Sequence, residues 1–185
     1  MRANHLSARS KRRKARITNS HHNSPIAPNV LMRDFTADAP NQKWMTDMTF
    51  IATAEGWLYL AGVLDAYSRK IVGWAMGKEH DAQLVRDALH MALVQRQPEA
   101  GLLHHSDRGS EYASKSYQDM LLMYNMQISM SRKGNCYDNA LIESFWGTLK
   151  EECFGKAVFH NRKEAKIAIF EYIESFYNRK RRHSS

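Results

Sequence analysis

The sequence predicts an α/β fold: a five-stranded mixed sheet, an antiparallel meander extended by crossovers, flanked by helices. Three observations predict it. Residues 43–76 hold three strand-like runs joined by short turns, which pair most simply as a meander. Residues 81–130 then alternate helical and strand-like spacing, the pattern of crossover connections. Two later segments are apolar along one side only, so each helix has a face that must lie against something.

Each element has its own justification. Lys43 to Thr53 alternates, with Met45, Asp47, Thr49 and Ile51 on one side and Trp44, Thr46, Met48 and Phe50 on the other. Glu55-Gly56 marks a turn. Trp57 to Tyr67 is almost wholly apolar, as a strand buried on both faces requires. Ser68-Arg69 turns the chain into a third strand, Lys70 to Met76. From Asp81 to Gln97, Leu84, Val85, Ala88, Leu89, Ala92 and Leu93 recur at helical spacing, and Pro98 and Gly101 close the helix.

Leu102 to Asp107 is a short strand running into Asp107-Arg108-Gly109. Ser114 can cap a second helix built on Tyr117, Met120, Leu121 and Tyr124, and Met126 to Met130 alternates as the fifth strand. A third helix starts at about Asp138 or Asn139. Its buried arc would hold Leu141, Ile142, Phe145, Trp146, Leu149 and Cys153. Asn161 and Glu164 have capping-box spacing ahead of a last helix. The apolar face of that helix would comprise Ala165, Ala168, Ile169, Tyr172, Ile173 and Phe176.

With 185 residues, 43% of them apolar, the chain is long enough for one domain with a real core. No run approaches the ~18 apolar residues of a membrane span, and no apolar signal-peptide core follows Met1. The net charge of +8 is unevenly placed. Residues 1–33 carry eight Lys or Arg and no acid, and residues 179–182 add four more bases. All 19 acids lie between, so a mildly acidic body is flanked by basic ends. That pattern suits a phosphate-backbone ligand held by arms, with a carboxylate site inside. Cys136 and Cys153 form neither a disulfide framework nor a C-x-x-C metal site, which fits a reducing, cytosolic compartment. The adjacent pairs His21-His22 and His104-His105 lack the spacing of structural zinc ligands.

Three acids stand in unusual settings. Asp47 falls inside a strand pattern, where aspartate is depleted and a lone buried carboxylate is costly without a cation. Asp107 ends a strand, where the functional groups of open sheets collect. Glu143 lies at the edge of the third helix's apolar face, 35 residues beyond Asp107. Carboxylates from three elements could hold two hard divalent cations and so activate a nucleophile at a phosphodiester.

Asp65 is the rival: pairing Asp47 with Val63 would set it diagonally across on the same face, and a one-residue slip would send it to the other. Glu111 and Asp138 are weaker candidates. Lys150 shares Glu143's strip of helix with Asn139, while Gly147 offers either room for a ligand backbone or a tight helix contact. Arg132 and Lys133 flank Gly134-Asn135 in a loop shaped for phosphates. Trp44, Trp57, Trp74 and Trp146 read as core.

Several longer stretches carry a family resemblance. WMTDMTFI, GWLYLAGVLDAYSRKIVGWAM, HHSDRGSEY, SMSRKGNCYDNALIESFWGTLKEE and FEYIESFYNRKRRHS together resemble the integrase-like catalytic core of bacterial insertion-sequence transposases of the IS-three family. The resemblance runs from about residue 25 to the end. It implies an RNase H-like fold, dependence on Mg²⁺ or Mn²⁺ (two ions), and DNA cleavage followed by strand transfer from a 3′-hydroxyl. By motif, Asp47, Asp107 and Glu143 take the metal-binding catalytic places, and Asp65 falls outside the triad. Arg108, Arg132, Lys133, Asn139 and Lys150 are the expected DNA contacts. Implied partners are element-end DNA, a target duplex and further copies of the chain, in the bacterial cytoplasm.

The reading divides the chain into a basic arm or linker (1–40), an integrase-like catalytic core (41–178) and a basic tail (179–185). Departures from the family pattern are the lack of an upstream helix-turn-helix region, the stop at Ser185 and Glu111 where Gln is common. They mark the chain as a core fragment or truncated copy. A non-catalytic DNA-binding remnant and an RNase H-type nuclease are the alternatives.

Overall fold

The computed structural model describes residues 24–155 and 158–183, so most of the basic arm and His21-His22 lie outside the described residues. Its strands are β1 (Lys43–Thr53), β2 (Gly56–Asp65), β3 (Ile71–Gly77), β4 (Leu103–Ser106) and β5 (Gln127–Met130). The helices are α1 (Ala82–Arg96), α2 (Lys115–Met123), α3 (Ala140–Leu149) and α4 (Arg162–Glu171). The sheet order is β3-β2-β1-β4-β5. The meander β1-β2-β3 is antiparallel, whereas β4 and β5 join β1 in parallel. β1 is therefore the central strand, and the expected mixed sheet forms.

Helices cover both faces, because alternate residues of β1 and β2 point to opposite sides. Trp44, Ala61, Val63 and Val72 pack with Leu84, Val85, Leu89, Tyr117 and Leu121 from α1 and α2. Met45, Ile51, Leu58, Leu60 and Leu64 pack with Ile142, Phe145, Trp146, Leu149 and Ile169 from α3 and α4. Side chains cap the starts of three helices, at α2 and α4 where the sequence suggests. Asp81 caps α1, Ser114 caps α2, and Asn161 caps α4 by accepting from the backbone N–H of Glu164. Glu164 reaches back to the N–H of His160, 2.8 Å away.

Some expectations shift. A 3₁₀ turn, Cys136–Asn139, precedes α3, which begins at Ala140. Past α4 the helix widens into a π-helical turn, Tyr172–Tyr177. The extra residue in that turn carries Tyr177 into the core (4% exposed) and leaves Phe176 42% exposed. Trp57, expected in the core, is 49% exposed near the β1–β2 turn. The 1–40 segment is not all free linker. Leu31 is buried with the α3 residues, the N–H groups of Val30 and Leu31 donate to Ser129 Oγ, and Pro28 O accepts from the N–H of Met130.

Candidate active site

The strand register sets two of the acids side by side. β1 and β4 run parallel with Met45 opposite His105. Two residues further along each strand stand Asp47 and Asp107, on neighbouring backbones ~4.8 Å apart. β4 ends at Ser106, so Asp107 sits on the first residue of the loop. The Gly109 N–H donates to Asp107 Oδ1 at 2.8 Å. A side chain at Gly109 would collide with the carboxylates of both Asp107 and Glu111.

Asp47 is fixed from across the sheet. Its β2 partner is Gly62, and the Trp146 indole lies over that glycine, where a Cβ would come within 2.8 Å of the ring. Placed there, Trp146 Nε1–H donates to Asp47 Oδ2 at 3.0 Å. A buried indole normally requires such an acceptor. The same register places Asp65 opposite Trp44, on the other face from Asp47. Asp65 is fully buried and accepts from the N–H of Asn41 and from Ser68 N–H and Oγ–H. It closes the turn into β3 and lies outside the site.

Glu143 arrives on α3, in its first turn. α3 runs alongside β1 in the same direction, as three contacts in order show. Asn139 Nδ2 donates to Thr46 O (3.2 Å), Trp146 bonds Asp47, and Lys150 Nζ lies 5.1 Å from the Phe50 ring centre. Gly147 is exposed, with open space where a Cβ would be, which removes the tight-packing explanation for that glycine.

The electrostatics of Asp47 follow from this crowding. Burial, then the negative charge of Asp107, and to a smaller extent that of Glu143, push its carboxyl up to about 8. The Met48 N–H and the Trp146 indole pull the other way. Tyr112, raised well above the usual phenol range chiefly by burial, is repelled by Asp47, Asp107 and Glu111. Among the described residues no three His, Cys, Asp or Glu side chains are gathered closely enough to hold a metal ion as they stand. The three acids share an electric field rather than a closed ligand cage.

The expected DNA contacts fall in different settings. Lys133 is exposed, and Arg108 lies on the loop after β4 with its Nε–H donating to Ser131 O at 2.6 Å. Arg132 is half exposed but grips Asp138 through Nε, Nη2 and its backbone N–H. Asn139, expected at the DNA surface, is 5% exposed and ties α3 to β1. The two histidines of β4 are internal. His104 bonds Tyr117 OH, and His105 bonds Ser129 Oγ and Ser131 Oγ. Burial lowers them to about 3 and about 4 respectively.

Residues 37–136 match the family described as integrase core domain, and residues 124–185 match a second family with the same description. The chain belongs to the integrase core domain family. Among similar proteins, the insertion element IS600 uncharacterized 31 kDa protein of Shigella sonnei is 54% identical over 97% of this chain and 66% of its own length. The transposase InsF for insertion sequence IS3A of Escherichia coli K12 is 46% identical over 97% of this chain and 62% of its own. The chain thus spans just under two thirds of these relatives.

Two solved structures share the fold at 16% identity. A simian T-cell lymphotropic virus intasome in complex with a PP2A regulatory subunit has a TM-score of 0.64, covering 90% of this chain and 57% of that one. The HTLV-2 integrase catalytic core domain in complex with magnesium has a TM-score of 0.54, covering 75% of this chain and 90% of that one. The fold of this integrase core is RNase H-like. Two features of its site escaped sequence reasoning: the Gly62–Trp146 arrangement that fixes Asp47, and Asp138 as an anchor. A buried Trp in need of an acceptor was the available signal for the first.

Proposed function

We propose that this integrase core cleaves DNA strands and transfers them to a target duplex, as a metal-dependent polynucleotidyl transferase using Asp47, Asp107 and Glu143. One observation carries the reading: the β1–β4 register sets Asp47 beside Asp107, and α3, bonded to β1 through Asn139 and Trp146, brings Glu143 along the same strand, so that the neighbouring acids push the Asp47 carboxyl up. Such a concentration of negative charge is costly unless cations relieve it.

The donor set suits the implied metal. Carboxylate oxygens are the ligands Mg²⁺ and Mn²⁺ prefer. Near them the buried Tyr112 hydroxyl and Asn139 Oδ1 find no hydrogen-bond partner, and Mg²⁺ keeps several waters that could supply one. Asp47 and Asp107 would hold one ion and Glu143 would complete a second site after a side-chain rotation; the ions would supply Lewis acidity and nucleophile activation.

The protein groups do the rest. Trp146 and Gly109 fix the two aspartates against rotation. Arg108, Lys133 and Lys150 would hold phosphates beside them, and Arg132 would do so while tethered to Asp138. Asn139 would act as a strut rather than a DNA contact. The nucleophile would be water or a DNA 3′-hydroxyl, with no covalent protein intermediate. The setting is the bacterial cytoplasm, with element-end DNA and further copies of the chain as partners. Among the described residues no helix is long and apolar enough to cross a membrane.

The test is an assay with labelled element-end DNA, Mg²⁺ or Mn²⁺, and a target duplex. Nicked and joined products are expected, with Glu143→Gln losing both by ~10³-fold or more, on the scale of lost electrostatic stabilisation. Binding without product from the unaltered chain would reduce it to a DNA-binding remnant. Cutting without joining would make it a nuclease.

A further inference from the structure

Beyond the acids, the end of α3 meets an aromatic step. Trp57 on β2 and Phe50 on β1 are diagonal neighbours, with rings edge-to-face at 4.7 Å between centroids. Lys150 Nζ sits over the Phe50 ring, and Trp57 is half exposed. The step is rigid from below. Arg162 Nε–H donates to Trp57 O at 3.0 Å, the Arg162 N–H to Glu55 Oε2 at 3.0 Å, and the Ala54 N–H to Phe159 O at 2.9 Å.

Its distance from the acids can be read from α3: Lys150 lies two turns beyond Glu143, or ~10 Å. Phe50, three residues beyond Asp47, turns to the opposite face of β1, and Lys150 Nζ meets its ring beyond the last β1–β4 pair, Met45 with His105. About three base steps of 3.4 Å would span that separation. Exposed aromatics next to a cation are what unpaired bases require, since every base has a stackable face and every linkage a negative charge. Other exposed apolar groups, such as Leu122 and Met123 on α2, have among the described residues no cation over an aromatic ring beside them.

We infer that Trp57, Phe50 and Lys150 form a subsite for an unstacked base of single-stranded DNA adjoining the cleaved position. The inference rests on the proposed DNA-processing reading of the acid site, and it is tested without cleavage. The probes are a fully paired duplex and the same duplex carrying a short single-stranded overhang with 2-aminopurine, both in EDTA. The unaltered chain should bind the overhang more tightly and change its 2-aminopurine fluorescence.

Trp57→Ala should weaken overhang binding about tenfold, or ~1.4 kcal/mol, within the range of one base stacked on an aromatic ring. It should leave the paired duplex unaffected. Trp57→Phe, which keeps a ring, should retain most of the overhang affinity, and it decides the matter if Trp57→Ala fails to fold. Lys150→Ala should weaken both probes, with a shallower salt dependence. Equal affinities of Trp57→Ala and the unaltered chain for the overhang would overturn the subsite, as would an equal loss on both probes. A change in sedimentation in place of a change in overhang binding would assign the patch to contact between copies. A chain that discriminates the overhang but yields no metal-dependent product would overturn the cleavage reading and leave the subsite standing.

Discussion

Two aspartates of this chain, one fully buried and one half-buried, receive opposite treatment. Asp138 is fully buried and accepts from Asn29 Nδ2, Arg33 Nε, and Arg132 N, Nε and Nη2. Hydrogen bonding from Arg132 leads the causes that hold its carboxyl far below the usual range. Asp47 has the Trp146 indole and the Met48 N–H as donors beside two acidic neighbours, and its carboxyl is pushed up instead. The first site contains its own counter-charge; at the second, Trp146 and Gly62 hold the carboxylate in place without neutralising it. A buried acid balanced by arginines ties the chain together; a carboxylate held beside other acids suits the cation proposed for this site.

The largest test of that contrast is Asp138→Ala. It leaves the Arg33 and Arg132 guanidinium groups, the Asn29 amide and the Arg132 N–H without their acceptor. Both arginines are about half exposed, so solvent screens the loss, and ~1.5–3 kcal/mol is expected. Urea unfolding at neutral pH would read it, and a loss below 1 kcal/mol would erase the distinction between the sites.

Asp47→Asn should act the other way. It removes a carboxylate kept in deficit, raising stability at pH 8 by ~1–3 kcal/mol, the scale of an unsatisfied buried group, while abolishing strand cleavage. The signs follow from the direction of each shift. Asp47, whose folded value is raised to about 8, contributes stability that is complete below its ordinary value near 4 and is lost as pH rises toward 8. Asp138, whose folded value is depressed, contributes stability that is complete above about 4 and fades as pH falls further. Stability measured against pH should therefore lose its decline between about pH 4 and about pH 8 in Asp47→Asn, and Mg²⁺ should restore stability near pH 8 only where Asp47 is present.

The smallest expected effect is that of Gly62→Ala. The added methyl meets the Trp146 ring, an overpacking of ~1–2 kcal/mol at most if the indole can slide. A sliding indole would move its N–H off Asp47, so DNA cleavage should fall more than stability does.

Much of this was legible from the residues. Alternation in β1, the apolar run of β2 and the helical spacing of α1 each follow from the pattern of burial, and the acids stood out because aspartate inside a strand is anomalous. Other features depend on geometry that spacing does not encode. Asp65 turned on a one-residue choice of register, decided only when Trp44 pairs with it. Phe176 and Tyr177 exchange places because a π-helical turn adds a residue, which 3.6-residue periodicity cannot anticipate. Trp57 looked like core by composition, yet it sits near a hairpin turn and is half exposed. Asn139 shares an edge with Glu143 in a helical projection, but it precedes α3 and turns inward.

The clasp on Asp138 bears on where the working unit begins. Asn29 and Arg33 reach it from ahead of the first strand, and its next neighbour in sequence opens onto the helix bearing the third acid. Starting the protein at β1 would keep all three acids and discard two of the five hydrogen bonds at that helix's root. The upstream peptide thus bears on the proposed site by leverage, though none of its side chains need ever meet a phosphate.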